Sequence, residues 1–238
     1  MYRYGSIGPT APQAGADPRA EPLLPEDVVA VRTGIGIKDY TIEGVEDGMT
    51  RYWACVDEVV KGGAQRIFMN GFPIASQLGR PRSLKLFEET TTKTGVPATS
   101  DAEATIDAMK FMGVTRVTVA SRWAKELNDA LIRYLTDAGI EVLYITTAGQ
   151  WAKEAFGMSI EQGVKLALQL GREAVKNAPQ AQGLLMPGGT WRILAAIPIL
   201  EEDAGKPVFS NPTAVPWRLM HDGAAPGIKG WGRLLENP

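Results

Sequence analysis

Short runs rich in β-branched and apolar residues alternate with longer stretches of helical period along this chain, and the whole alternation occurs twice. Such a pattern is the signature of parallel sheets covered by helices. The first half reads as strands near 2–8, 28–35, 65–70 and 96–99, with helices near 44–61, 80–94 and 101–112. The second half reads as strands near 115–121, 140–146, 182–187 and 207–210. Its helices fall near 123–138, 159–177 and 190–203, with a last one near 213–221. The punctuation repeats too. Each third strand ends in a tight turn, at Asn70-Gly71 and at Gly188-Gly189, and each fourth strand is entered through Gly-x-Pro, at Gly95-Val96-Pro97 and Gly205-Lys206-Pro207. The fold expected is α/β, with two pseudo-symmetric four-stranded parallel-sheet domains of flavodoxin-like type and a cleft between them. The first domain is assigned to 1–105 plus 211–238 and the second to 106–210, with the final helix returning to the first half.

Composition narrows the partners. The 238 residues carry a formal charge of -2, which gives no electrostatic reason to expect nucleic acid or an anionic membrane. No stretch approaches the roughly 20 apolar residues of a membrane span, and a cytoplasmic address follows as the default. With one cysteine, Cys55, and one histidine, His221, neither an intrachain disulfide nor a Cys/His zinc site can form. Cys55 falls inside a helix and reads as a small core residue, and His221, at the end of the last helix, reads as a surface residue. The 9–27 segment, with its prolines, reads as a long loop over the cleft.

Ligands of parallel α/β sheets bind beyond the carboxyl ends of the strands. The segments to weigh are therefore Gly8-Pro9-Thr10, Gly36-Ile37-Lys38-Asp39-Tyr40 and Asn70-Gly71-Phe72-Pro73 in the first half. Ser121-Arg122-Trp123, Thr146-Thr147 and Pro187-Gly188-Gly189-Thr190 are their partners in the second. Gly188-Gly189-Thr190 is the sharpest signal: two glycines let successive N–H groups converge on one anion, and Thr190 could cap the helix that follows. A plain β–α turn is the alternative. Gly34-Ile35-Gly36 lacks the third glycine of a dinucleotide fingerprint and follows a second strand, which argues against NAD.

These segments, in this order, resemble the arylmalonate decarboxylase and maleate isomerase branch of the aspartate/glutamate racemase superfamily. The resemblance rests on Ile7-Gly8-Pro9, on Gly34-Ile35-Gly36-Ile37 followed by Thr41-x-Glu43-Gly44, and on Gly113-Val114-x-Arg116-Val117. It continues through Gly183-Leu184-Leu185-x-x-Gly188-Gly189, Pro207-Val208 and Gly230-Trp231-Gly232-Arg233-Leu234. It implies cofactor-free chemistry in which a carbanion or enediolate forms beside a carboxylate and a cysteine moves the proton. The positions of the family's two cysteines correspond here to Gly71 and Pro187. The family's hydroxyl donors correspond to Phe72 and Pro73, and its cleft tyrosine to Trp123. Ile37, Tyr40 and Phe156 correspond to an apolar lining, with Lys153 close to it.

The resemblance therefore implies a lyase (decarboxylase-like) or isomerase acting at the α-carbon of a small carboxylic acid, with no cofactor, no metal and a non-cysteine acid/base. Lys38, Tyr40, Asp101 and Lys153 are the candidates for that role, with Asp39 and Arg122 behind them. Lys153 could equally be a lysine reaching solvent. The substrate-binding set is Pro9, Thr10, Ile37, Asn70, Gly71, Phe72, Trp123, Phe156, Pro187, Gly188, Gly189 and Thr190. The competing reading is a non-catalytic protein that binds a small carboxylate on the same scaffold. Oligomeric state is left open.

Overall fold

The computed structural model describes residues 1–10, 23–150 and 158–238, so Lys153, Phe156 and most of the 9–27 loop lie outside the described residues. The chain divides into two compact units, Met1–Glu103 and Ala104–Pro238, with residues 211–238 falling in the second. Each unit is built on one four-stranded sheet, as the repeated pattern implies.

In the first unit the strands are β1 (Tyr2–Gly8), β2 (Val28–Gly34), β3 (Arg66–Met69) and β4 (Ala98–Ser100), all parallel, in the order β2-β1-β3-β4. The helices are α1 (Ile42–Met49), α2 (Tyr52–Lys61), α3 (Phe72–Leu78), α4 (Arg80–Thr94) and α5 (Asp101–Phe111), the last carrying the chain into the second unit. Central β3 is buried on both faces, as expected of a parallel strand sandwiched by helices. One long helical pattern resolves into a pair. The stretch near 44–61 breaks between α1 and α2, where the amide and hydroxyl of Thr50 both turn back onto Asp47 O and close the first helix. A further helix, α3, precedes the expected one and is separated from it by Gly79 at φ 79°.

The second unit repeats the sheet as β6-β5-β7-β8, from β5 (Arg116–Trp123), β6 (Glu141–Gln150), β7 (Gly183–Met186) and β8 (Val208–Ser210), again all parallel. Its helices are α6 (Lys125–Asp137), α7 (Ile160–Asn177), α8 (Ile197–Ala204), α9 (Asn211–His221) and the short α10 (Arg233–Glu236). Helix α7 opens with a capping box: the Ser159 hydroxyl accepts from Gln162 N–H while the Gln162 side chain accepts from Ser159 N–H. The helix expected from residue 190 starts later. Trp191 N–H turns back to Gly188 O, a 3₁₀ turn covers Leu194–Ala196, and α8 begins only at Ile197. Thr190 is therefore not a helix cap.

The Gly-x-Pro signals have matching structural roles. Gly95 ends α4 and Gly205 ends α8, both left-handed, each donating its N–H to the carbonyl four residues back. Cys55 is buried on α2, where burial pushes its thiol pKa up. His221 is exposed and stacks on Trp217.

Candidate functional site

The carboxyl ends of the first unit's strands gather most of the residues singled out from sequence. After β1, Pro9 O accepts from Ile37 N–H at 2.7 Å, tying the first loop to the second. Ile37 is buried, Thr10 and Lys38 are exposed, and Asp39 accepts from Thr41 N–H at 3.0 Å beside the N-terminus of α1. Tyr40 O accepts from the Gln77 side chain at 2.8 Å, which fastens this loop to α3. After β3, the Asn70 side chain donates to Ser6 Oγ at 2.8 Å. Phe72 and Pro73 are fully packed at the start of α3.

Gly71 is the hinge of this group. It lies at φ 116°, a conformation that favours glycine, and its N–H donates to Asp101 Oδ2 at 2.9 Å. Asp101 is the first residue after β4 and is only 3% exposed. Half-buried Tyr40 feels that carboxylate: burial first, then the Asp101 charge, pushes its phenol pKa up to about 12. Behind the turn, Ser100 Oγ accepts from Glu103 N–H, and the buried Glu103 carboxylate takes both Nε and Nη2 of Arg80 at 3.0 Å. Of the acid/base candidates, Tyr40 and Asp101 come together and Lys38 stands at the exposed rim.

The second unit repeats this geometry with different chemistry. Gly188, at φ 121°, donates its N–H to Asn211 Oδ1 at 2.8 Å, and Asn211 is the first residue after β8. Pro187 and Gly188 are buried and Gly189 is exposed, with nothing within 4 Å of where a Cβ would stand. The N–H groups of Gly189 and Thr190 donate to no acceptor among the described residues. The Trp123 indole lies over Gly188, its Nε1 3.6 Å from the point a Cβ on that glycine would occupy. The Trp123 backbone is held from both sides, its amide N–H donating to Ser121 Oγ and its carbonyl accepting from the Asn128 side chain at 2.9 Å. Beneath the turn is Arg122, 2% exposed, whose Nη2 donates to Thr190 Oγ1 at 3.1 Å.

Among the described residues no group of His, Cys, Asp and Glu is placed to hold a metal ion, and no helix is long and apolar enough to cross a membrane.

Comparison with known proteins decides the family. The family model for arylmalonate decarboxylase matches residues 5–235. The chain belongs to the arylmalonate decarboxylase family. The arylmalonate decarboxylase of Bordetella bronchiseptica is 26% identical over 234 residues, covering 94% of this chain and 93% of that protein. A liganded crystal structure of an arylmalonate decarboxylase carrying glycine-to-cysteine and cysteine-to-serine substitutions superposes with a TM-score of 0.89. It is 25% identical and 99% of each chain is covered. The maleate isomerase of Pseudomonas putida, at 19% identity and a TM-score of 0.82 over 99% of this chain and 98% of that one, shares the fold. The family is one of enzymes, and its arylmalonate decarboxylase relatives place this chain among enzymes of that kind. Within it, this chain's one cysteine lies on α2, at residue 55.

Two residues of the site carry weaker signals in the sequence. Asn211 is marked only by a repeat: Ser100-Asp101-x-x-Ala104 and Ser210-Asn211-x-x-Ala214 give the same motif after each fourth strand. Arg122 stands behind the other charged candidates, because an arginine at the end of a strand ordinarily reaches solvent.

Proposed function

We propose that the protein is a cofactor-independent decarboxylase or isomerase acting at the α-carbon of a small carboxylic acid, with Tyr40 and Asp101 performing the proton transfer that a thiol performs in the resemblance drawn from sequence. The observation that carries this reading is the buried Asp101 carboxylate, fixed by the Gly71 N–H and electrostatically coupled to the Tyr40 phenol. A phenol kept protonated by burial next to a buried carboxylate is the kind of pair that general acid–base chemistry requires.

A phenol with its pKa near 12 keeps its proton at neutral pH. It is still far more acidic than the carbon of an enediolate, so it can protonate that carbon. In the decarboxylation direction the C–C bond to the leaving carboxylate breaks, CO₂ departs, and the electron pair enters the enediolate. The Tyr40 O–H then delivers its proton to the α-carbon. The resulting phenolate is disfavoured beside Asp101 and recovers a proton from solvent, closing the cycle. In the exchange or isomerisation direction Asp101 is the base. Lys153 is the second candidate for donor and belongs to the same test. Within the first unit the substrate-binding role stays with the loops after β1, β2 and β3.

The test is α-proton exchange in D₂O, followed by NMR, with phenylmalonate and phenylacetate as probes. Tyr40→Phe and Asp101→Asn should each lower the rate by about 10²–10⁴, the usual contribution of a positioned acid or base. Iodoacetamide should leave it unchanged. Exchange that survives both substitutions but is lost in Lys153→Met would move the donor to Lys153. Loss of exchange on thiol alkylation would overturn the reading.

A further inference from the structure

Asn70-Gly71 is the chain's one Asn-Gly pair, and asparagine before glycine is the dipeptide most prone to spontaneous cyclisation. With no Cβ in the way, the glycine nitrogen can lose its proton and bond to Asn70 Cγ, and ammonia leaves. Water then opens the succinimide ring at either carbonyl and gives aspartate or isoaspartate. The fold cannot avoid the pair by taking a bulkier second residue. Gly71 stands at φ 116°, and a Cβ there would lie 2.9 Å from Ile74 Cδ1. Asparagine is committed too, since its carboxamide donates to Ser6 Oγ on β1.

In the native turn both reacting groups are engaged. The Gly71 N–H, whose proton must go before the nitrogen attacks, donates to Asp101 Oδ2 at 2.9 Å. The Asn70 carboxamide, whose carbon must be attacked, is held to Ser6 at 2.8 Å. The backbone on either side is pinned as well: Asn70 N–H donates to Ile7 O at 2.8 Å, and Gly71 O accepts from Ile74 N–H at 2.8 Å. The matching turn of the second unit has nothing to protect, because Pro187 precedes Gly188 there and carries no amide side chain. We propose that Asn70 is a self-modification site kept closed by Asp101 and Ser6, and that it deamidates only when the Gly71–Asp101 bond opens. This role of Asp101 is independent of proton transfer. Any side-chain oxygen at that place can hold the glycine amide, as Asn211 holds Gly188. Modification adds a negative charge to the turn that Asp101 already serves, and the isoaspartate product lengthens the main chain there, so this turn is where the protein ages.

The experiment is incubation of the full chain at mildly alkaline pH, with residue 70 followed by peptide mapping and mass spectrometry. The unsubstituted protein should convert far more slowly than a synthetic peptide of residues 66–74. Asp101→Ala removes the acceptor and should speed conversion about tenfold to a hundredfold, the worth of a hydrogen bond to a charged group. Asp101→Asn keeps an acceptor and should stay within about threefold of the parent. The catalytic reading predicts that this same variant loses exchange, so the two readings fail separately. Ser6→Ala frees the carboxamide and should speed conversion about threefold to tenfold. Thr213→Val, altered in the second unit with the lock intact, should convert at the parental rate, which separates local opening from general loosening. Should Asp101→Ala fail to fold, Ser6→Ala and Asp101→Asn decide between them. A parent that converts as fast as the peptide overturns the lock, as does an Asp101→Ala protein that converts no faster than the parent. Slower conversion in Asp101→Ala would make the carboxylate the base that activates the amide, and overturns it equally.

Discussion

The turn after β3 and the turn after β7 are the same piece of backbone with opposite electrostatics. In both, a glycine with φ near 120° donates its N–H to the side chain of the first residue beyond the fourth strand. In the first unit that residue is Asp101, and the buried neighbour two positions on is Glu103 with its Arg80 partner. In the second it is Asn211, and two positions on stands Thr213, whose hydroxyl needs only the Ser210 carbonyl. The negative charge sits by one turn, and a buried cation, Arg122, by the other. A duplicated scaffold fixes where an acceptor stands. Which atom type occupies that place decides whether the turn repels or attracts an anion.

Making the turns alike should break the difference, and Asp101→Asn is the sharpest way. The carboxamide oxygen can still accept from Gly71 N–H as Asn211 does from Gly188, so the fold is kept while the base is removed. A loss of exchange by about 10³ with an unchanged melting temperature is expected. Equal loss of both would mean that the charge is structural. The supporting shells differ more in stability than in activity. Arg80→Met leaves the Glu103 carboxylate buried without its cation and should cost roughly 3 kcal/mol, whereas Thr213→Val should cost about 1 kcal/mol, both read by urea unfolding.

Alkaline pH sharpens the same comparison. Tyr40 and Tyr52, both of the first unit, have phenols raised by burial from 10.0 to about 12. The neutral phenol is the form that the folded state favours. The associated stability is fully present below pH 10 and is lost as pH rises towards 12, on the order of 2 kcal/mol for each. Tyr52→Phe should remove part of that alkaline slope without affecting exchange, since the Tyr52 hydroxyl is engaged with Thr90 on α4. The smallest effect is expected at Cys55. Cys55→Ser should retain full exchange and lose about 1 kcal/mol of stability through poorer packing.

Much of this is legible in the sequence. The alternation of apolar runs with helical periods places every strand of both sheets to within a few residues, most simply for β3, β5 and β7, whose burial on two faces leaves little choice of residue. Glycines at α4 and α8 end helices where Gly-x-Pro stands. The helix expected from residue 190 does not form there, although Thr190-Trp191-Arg192 has helix-compatible side chains. Instead the Trp191 indole is drawn to Gly163 O, and the Arg192 backbone packs against Gly163, which delays the helix to Ile197. The Gly71–Asp101 and Gly188–Asn211 bonds join residues far apart in sequence, and no local propensity announces them. Arg122 is the extreme case, since what sets it apart is the partners missing around its Nε and Nη1 among the described residues rather than its own type.

The cation over the Trp191 ring also gives the protein a built-in optical readout. Indole emission responds to the electric field along the ring, and Trp191 is shielded from water and fixed by its bond to Gly163 O, so solvent relaxation contributes little to its colour. The Arg122 guanidinium lies 5.3 Å from the ring centre. A change in that field should shift the emission of Trp191, and the difference between the parent and a Trp191→Phe variant separates this signal from the other tryptophans with no label and no turnover.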